Sequence, residues 1–78
     1  MLLVNVKDNV KRTTVPVADP AATTIREALV AGSVDFTRGR AHLEGSPLSP
    51  AELNMTFADF GLTDGKCFLI CVEQKDNA

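Results

Sequence analysis

Lys66-Cys67-Phe68-Leu69-Ile70-Cys71-Val72 is the stretch on which the reading of this chain turns. Positions 67–72 are apolar without interruption, with Asp64-Gly65 just upstream and Glu73-Gln74-Lys75-Asp76 downstream. A short apolar run bounded by turn signals reads as a buried strand. It falls far short of the roughly 20 apolar residues of a membrane-spanning helix. Asp64-Gly65 before it reads as a hairpin-type turn.

Working outward, the rest of the chain supplies partners for that strand. Leu2, Val4 and Val6 alternate with Leu3, Asn5 and Lys7, the period of two of a strand with its even positions buried. Asp8-Asn9 is a turn pair, and Thr13, Val15 and Val17 then alternate with Thr14 and Pro16, a second strand returning as a hairpin. Pro16 cannot donate to a ladder, so its nitrogen belongs on an unpaired side or at a bulge. Thr24-Ile25-Arg26-Glu27 has the spacing of a capping box, and Ile25, Ala28 and Leu29 share one helical face before Gly32 stops the helix. Val34 and Phe36 are expected to fold back beneath it. Arg38-Gly39-Arg40 reads as a turn, followed by a strand over 41–44 with Ala41 and Leu43 inward.

Gly45-Ser46-Pro47 ends that strand, and Leu48 is expected to tuck into the core. Ser49-Pro50-Ala51-Glu52 carries a Ser cap, a first-position Pro and a Glu at the third position, enough for one helical turn. Thr56-Phe57-Ala58-Asp59 repeats the capping logic, with Phe57, Phe60 and Leu62 as anchors. The order is strand, strand, helix, strand, short helical turns, strand. It predicts an α+β domain over residues 1–78, a mixed sheet of four to five strands packed on one main helix.

In this order and in three segments the chain resembles the ubiquitin-like β-grasp family. His42-Leu43-Glu44-Gly45-Ser46-Pro47-Leu48 resembles the family's strand, glycine turn and leucine. Thr56-Phe57-Ala58-Asp59-Phe60-Gly61-Leu62 resembles its capped turn before the last strand, and 68–72 resembles its central final strand. Conjugating and sulfur-carrying members end in a flexible Gly-Gly tail. The glycines here are Gly32, Gly39, Gly45, Gly61 and Gly65, with no two adjacent. The expectation is therefore a fold without that chemistry. The alternative is a sulfur-carrier or protein-modifier relative that has lost it or does not use it.

Composition narrows the function classes further. The formal net charge is −2, against the basic balance of a general nucleic-acid binder. The basic clusters Lys11-Arg12 and Arg38-Gly39-Arg40 read as solvated turn residues. The apolar opening, Met1-Leu2-Leu3-Val4, is too short for a signal sequence and is interrupted by Asn5 and Lys7. A cytoplasmic monomer with no membrane contact is expected.

Cys67 and Cys71 lie four apart on one strand, so their Cα atoms are about 13 Å apart, too far for a disulfide or for one zinc ion to hold both. They read as free thiols of a reducing compartment. His42, the single histidine, pairs with no constellation that suggests a nucleophile or a metal centre. No catalytic residue, cofactor or metal is expected.

What the resemblance implies instead is a noncovalent module binding another protein through its exposed sheet face. With Phe68, Ile70 and Val72 buried against the helix, Cys67, Leu69 and Cys71 would turn outward. Carried over by position, the family's partner-binding patch falls on His42, Leu69 and Cys71, with Asp8 and Asn9 at the hairpin turn.

Overall fold

The computed structural model describes residues 1–8, 11–34 and 39–73, the last of these by its backbone. The elements are β1 (Leu2–Lys7), β2 (Arg12–Val17), α1 (Ile25–Ala31), β3 (Gly39–Leu43), β4 (Ser46–Pro47), two 3-10 turns (Pro50–Asn54 and Ala58–Phe60) and β5 (Gly65–Glu73). The strands form one mixed sheet in the order β2-β1-β5-β3-β4. β1 and β5 run parallel at its centre, and the other pairs are antiparallel. The expected α+β architecture forms, and of the four to five strands expected the described residues supply five, with one α-helix.

Alternation explains the first hairpin. Leu2, Val4 and Val6 are sealed on the inner face, while Leu3 and Asn5 are half-buried and Lys7 is exposed. Val15 and Val17 complete that inner face from β2, although Thr13, expected beside them, is exposed. Pro16 is tolerated because β2 is an edge strand, paired only with β1.

The capping box of α1 is present in full. Thr24 Oγ1 accepts from the Glu27 amide at 3.2 Å, and Glu27 Oε1 accepts from the Thr24 amide at 3.0 Å. Ile25, Ala28 and Leu29 enter the core, Gly32 caps the end, and Val34 folds back beneath. Phe36 lies outside the described residues.

The turns after β4 follow the same chemistry. Ser49 and Glu52 cap one another at Pro50–Asn54. Thr56 and Asp59 do so ahead of Ala58–Phe60, at 2.9 and 3.3 Å. Backbone bonds from Ile25 to Met55 and from Phe57 to Thr23 tie these turns to the start of α1. Phe57 and Leu48 are buried, with Leu53, Phe60 and Leu62 packed at the margin.

Four further features differ from the sequence-based expectation. Gly39 and Arg40 belong to β3, and Arg12 to β2, rather than to turns. Glu44 (φ +52°) and Gly45 (φ +86°) supply the two positive φ angles of a type I′ turn, so Ser46–Pro47 folds back as a fourth strand where an end was expected. Gly65 opens β5 with φ +87°, but β5 pairs in parallel with β1 and antiparallel with β3, so Asp64-Gly65 closes no hairpin.

The fourth is the largest. The pleat of β5 is the reverse of the expected one: Cys67, Leu69 and Cys71 are buried, and Phe68 and Val72 are exposed. The neighbouring strands impose this. Cys67 and Leu69 stand beside Val4 and Val6, and Cys71 and Leu69 stand opposite Ala41 and Leu43, all inner-face positions. Adjacent residues in a ladder share a face, so two neighbours of fixed parity set which side each residue of β5 takes.

Candidate interaction surface

The outer face of the sheet is built by the complementary set of side chains. β5 contributes Lys66, Phe68, Ile70 and Val72 at every second position. Phe68 is 56% exposed and Val72 42%, with Ile70 half-buried between them. An exposed phenylalanine and valine on a central strand form a continuous apolar stripe rather than scattered apolar surface.

The register sets the flanks of this stripe. On one side His42 stands opposite Ile70, and Arg40 opposite Val72. On the other, Asn5 stands beside Phe68 and Lys7 beside Ile70, and β2 extends these two rows with Thr14 and Arg12. A concavity of about 540 Å³ lies over these rows, lined among others by Asn5, Lys7, Arg12, Thr14, Phe68 and Ile70.

Hydrogen bonds hold the walls. Thr14 Oγ1 donates to Asn5 Oδ1 at 3.0 Å, and Asn5 Nδ2 donates to the Cys67 carbonyl at 3.4 Å, joining three strands across the concavity. Beyond the end of β3, the Glu44 amide donates to the Phe68 carbonyl at 2.9 Å, and the Phe68 amide donates to Glu44 Oε2 at 3.2 Å. Glu44 thus serves both polar groups of the Phe68 backbone and fixes the segment that presents the ring.

Charge is unevenly distributed. Lys7, Arg12, Arg40 and Lys66 all lie on outer-face positions. Asp19, Glu27, Glu52, Asp59 and Asp64 lie in α1, the 3-10 turns and the connecting loops, whereas Asp8 sits in the hairpin turn after Lys7 and Glu44 sits beside Phe68. Among the described residues, the ion pair formed is between the Met1 amino group and Asp64 at 3.2 Å, and none of the four outer-face cations takes part in one. The amino group and the Gly65 amide hold the Asp64 carboxyl below its ordinary range.

Of the five residues singled out from the sequence, His42 lies on this face. Leu69 and Cys71 do not: both are core residues, because β5 is pleated the other way. Asp8 is half-buried in the first hairpin turn, where its Oδ1 accepts from the Lys11 amide at 2.7 Å. Asn9 lies outside the described residues. Phe68, Ile70, Val72 and the cations beside them were missed. Two signals pointed to them: free cysteine is among the most deeply buried residue types, and Lys66 shares the parity of Phe68.

Cys67 and Cys71 are buried thiols, not joined in a disulfide. Burial, and secondarily the charge of Glu44, pushes the Cys67 thiol up to about 11. Such a thiol is protonated at neutral pH and unsuited to nucleophilic attack. Among the described residues no group of three or more His, Cys, Asp or Glu is placed to hold a metal ion, and no helix is long and apolar enough to cross a membrane. Compared with known protein families, curated proteins and solved structures, the chain has no match.

Proposed function

We propose that this chain is a ubiquitin-like β-grasp domain acting as a noncovalent protein-interaction module, with the outer face of its sheet as the binding surface. The fold assignment is supported by the sheet order β2-β1-β5-β3-β4, with first and last strands parallel at the centre and one helix between the two hairpins. The binding assignment is carried by one observation, the exposed apolar stripe of Phe68, Ile70 and Val72 on the central strand. A strand at that position could present polar side chains to water at no cost to the core. Three apolar ones leave a surface whose burial by a partner would be favourable, at roughly 25 cal/mol per Å² covered. His42 borders the stripe from β3 and joins the contact. Two buried cysteines that are not joined in a disulfide support a reducing compartment, the cytoplasm, as its setting.

A photo-crosslinking residue placed at position 68 tests this reading. Irradiation in native lysate is expected to yield a discrete protein adduct. The same residue at position 30, exposed on α1, is expected to yield none. Adducts that match at both positions, or none at position 68, would overturn the assignment.

A further inference from the structure

The concavity beside the stripe has a chemistry of its own. Its floor consists of two rows read straight from the register: Arg12, Lys7 and Ile70 in one, Thr14, Asn5 and Phe68 in the other. Each row is polar toward the β2 edge and apolar toward β5. Lys7 and Arg12 stand directly opposite each other on paired antiparallel strands, an arrangement in which like charges repel. Among the described residues neither takes part in an ion pair. An anion seated between them would relieve that repulsion. The Arg12 guanidinium offers the planar fork that holds a carboxylate through two parallel hydrogen bonds.

We infer that the Lys7–Arg12 pair is a carboxylate subsite, and that the partner is a polypeptide presenting Asp or Glu beside a bulky apolar residue. The acidic side chain takes the cationic end, and the apolar one covers Phe68 and Ile70. The inference rests on the sheet-face reading above and adds the partner's chemistry to it. The distance across the groove, from midway between Lys7 and Arg12 to β5, is one and a half strand spacings, or about 7 Å. That matches about two residue steps of extended chain, so the two anchors lie within two positions of each other. A nucleic acid fits less well. Phe68 is the one aromatic ring in the stripe, Ile70 and Val72 offer no stacking surface, and a chain of net charge −2 repels a polyanion more than a ligand with one or two carboxylates.

Selection of random dodecapeptides displayed on phage against the intact chain tests the inference. Enriched sequences are expected to carry Asp or Glu within two residues of Leu, Ile, Phe or Met. Replacing the acid by its amide in a selected peptide is expected to weaken binding about tenfold, as loss of a charge-assisted contact implies. The neutral variant Lys7→Gln/Arg12→Gln should lose the same factor. The charge-reversed variant Lys7→Glu/Arg12→Glu should select basic peptides instead. Both changes are at exposed positions, and amide NMR spectra would verify that each variant keeps the native fold.

Three results would overturn the inference: enrichment without acidic bias, an unchanged selection by the charge-reversed variant, or no enrichment at all. Tighter binding of a polyuridylate oligonucleotide than of the selected peptides at physiological salt would overturn it in favour of a nucleic-acid ligand. Selected peptides that are neutral and lose binding on Phe68→Asp would sink the carboxylate subsite alone and leave the sheet-face reading standing.

Discussion

Val6 of β1 and Leu69 of β5 stand side by side in the central parallel ladder, and both are fully removed from solvent. This pairing decides which side of β5 faces the helix and which faces outward. Truncation of Leu69 therefore removes core volume, whereas its neighbour Ile70 is only half-buried. Leu69→Ala is expected to cost about 2–5 kcal/mol, and Ile70→Ala about 1 kcal/mol. Urea unfolding of the two variants measures the difference. Equal losses, or a larger loss at Ile70, would reverse the assignment of the faces.

Val6 also limits the far end of α1. A methyl group added at Gly32 would lie 3.1 Å from Val6 Cγ1 and 3.2 Å from Val6 Cβ, closer than ordinary contact. The Gly32 backbone, at φ −80°, accepts any residue, so the conflict is one of packing. Val6 is β-branched and buried and has little freedom to move. Gly32→Ala is expected to destabilise by about 1–2 kcal/mol. In a Val6→Ala background the same change should cost less or stabilise, with a coupling of at least about 0.5 kcal/mol in a double-mutant cycle. Additive effects would mean that the two sites do not touch.

The helix start depends on Thr24, which caps α1 through Glu27 and also bridges to Thr56. Thr24→Ala should lower stability by about 1 kcal/mol, whereas Thr24→Ser keeps the capping hydroxyl and should retain most of the parent's stability. Thermal unfolding of both variants is the measurement. An alanine variant as stable as the parent would show that the box contributes nothing here.

Cys67 gives the fold a dependence on alkaline pH. Burial first, and the Glu44 charge second, raise its thiol from 9.0 to about 11. Below pH 9 the thiol is protonated in both folded and unfolded chains. Between pH 9 and about 11 the unfolded chain releases the proton and the folded chain keeps it, so stability falls as pH rises. Above about 11 both are ionised and the slope ends. Cys67→Ala removes this contribution, so the stability gap between parent and variant should change across pH 9–11 and stay flat below pH 9. Parallel profiles would contradict the assigned shift.

Much of this architecture was legible in local chemistry. The capping boxes at Thr24 and Ser49, the alternation of Leu2, Val4 and Val6, and the burial of Val34, Leu48 and Phe57 follow from short-range rules, and the structure agrees with each. The orientation of β5 was not legible locally, because a strand apolar at every position has no polar residue to reveal its parity. That information sits in Val4, Val6, Ala41 and Leu43, which become neighbours only once the sheet is assembled. The same gap separates the candidate surface residues: His42 sits on a strand with clear alternation and is on the outer face, while Leu69 and Cys71 sit on the strand without it and are buried. The placement of charge is illegible in the composition for a related reason. A net charge of −2 conceals the placement of Lys7, Arg12, Arg40 and Lys66 on a single face.

The account as a whole turns on Phe68, exposed at the centre of the outer face. The most direct measurement pairs affinity capture from native lysate with a thermal melt, for the parent chain and for Phe68→Asp. We predict that the variant melts within about 4 °C of the parent, as suits a surface substitution in a domain of this size, and that it no longer retains the proteins the parent captures. A variant that melts normally and still captures them would contradict the claim that this face binds the partner.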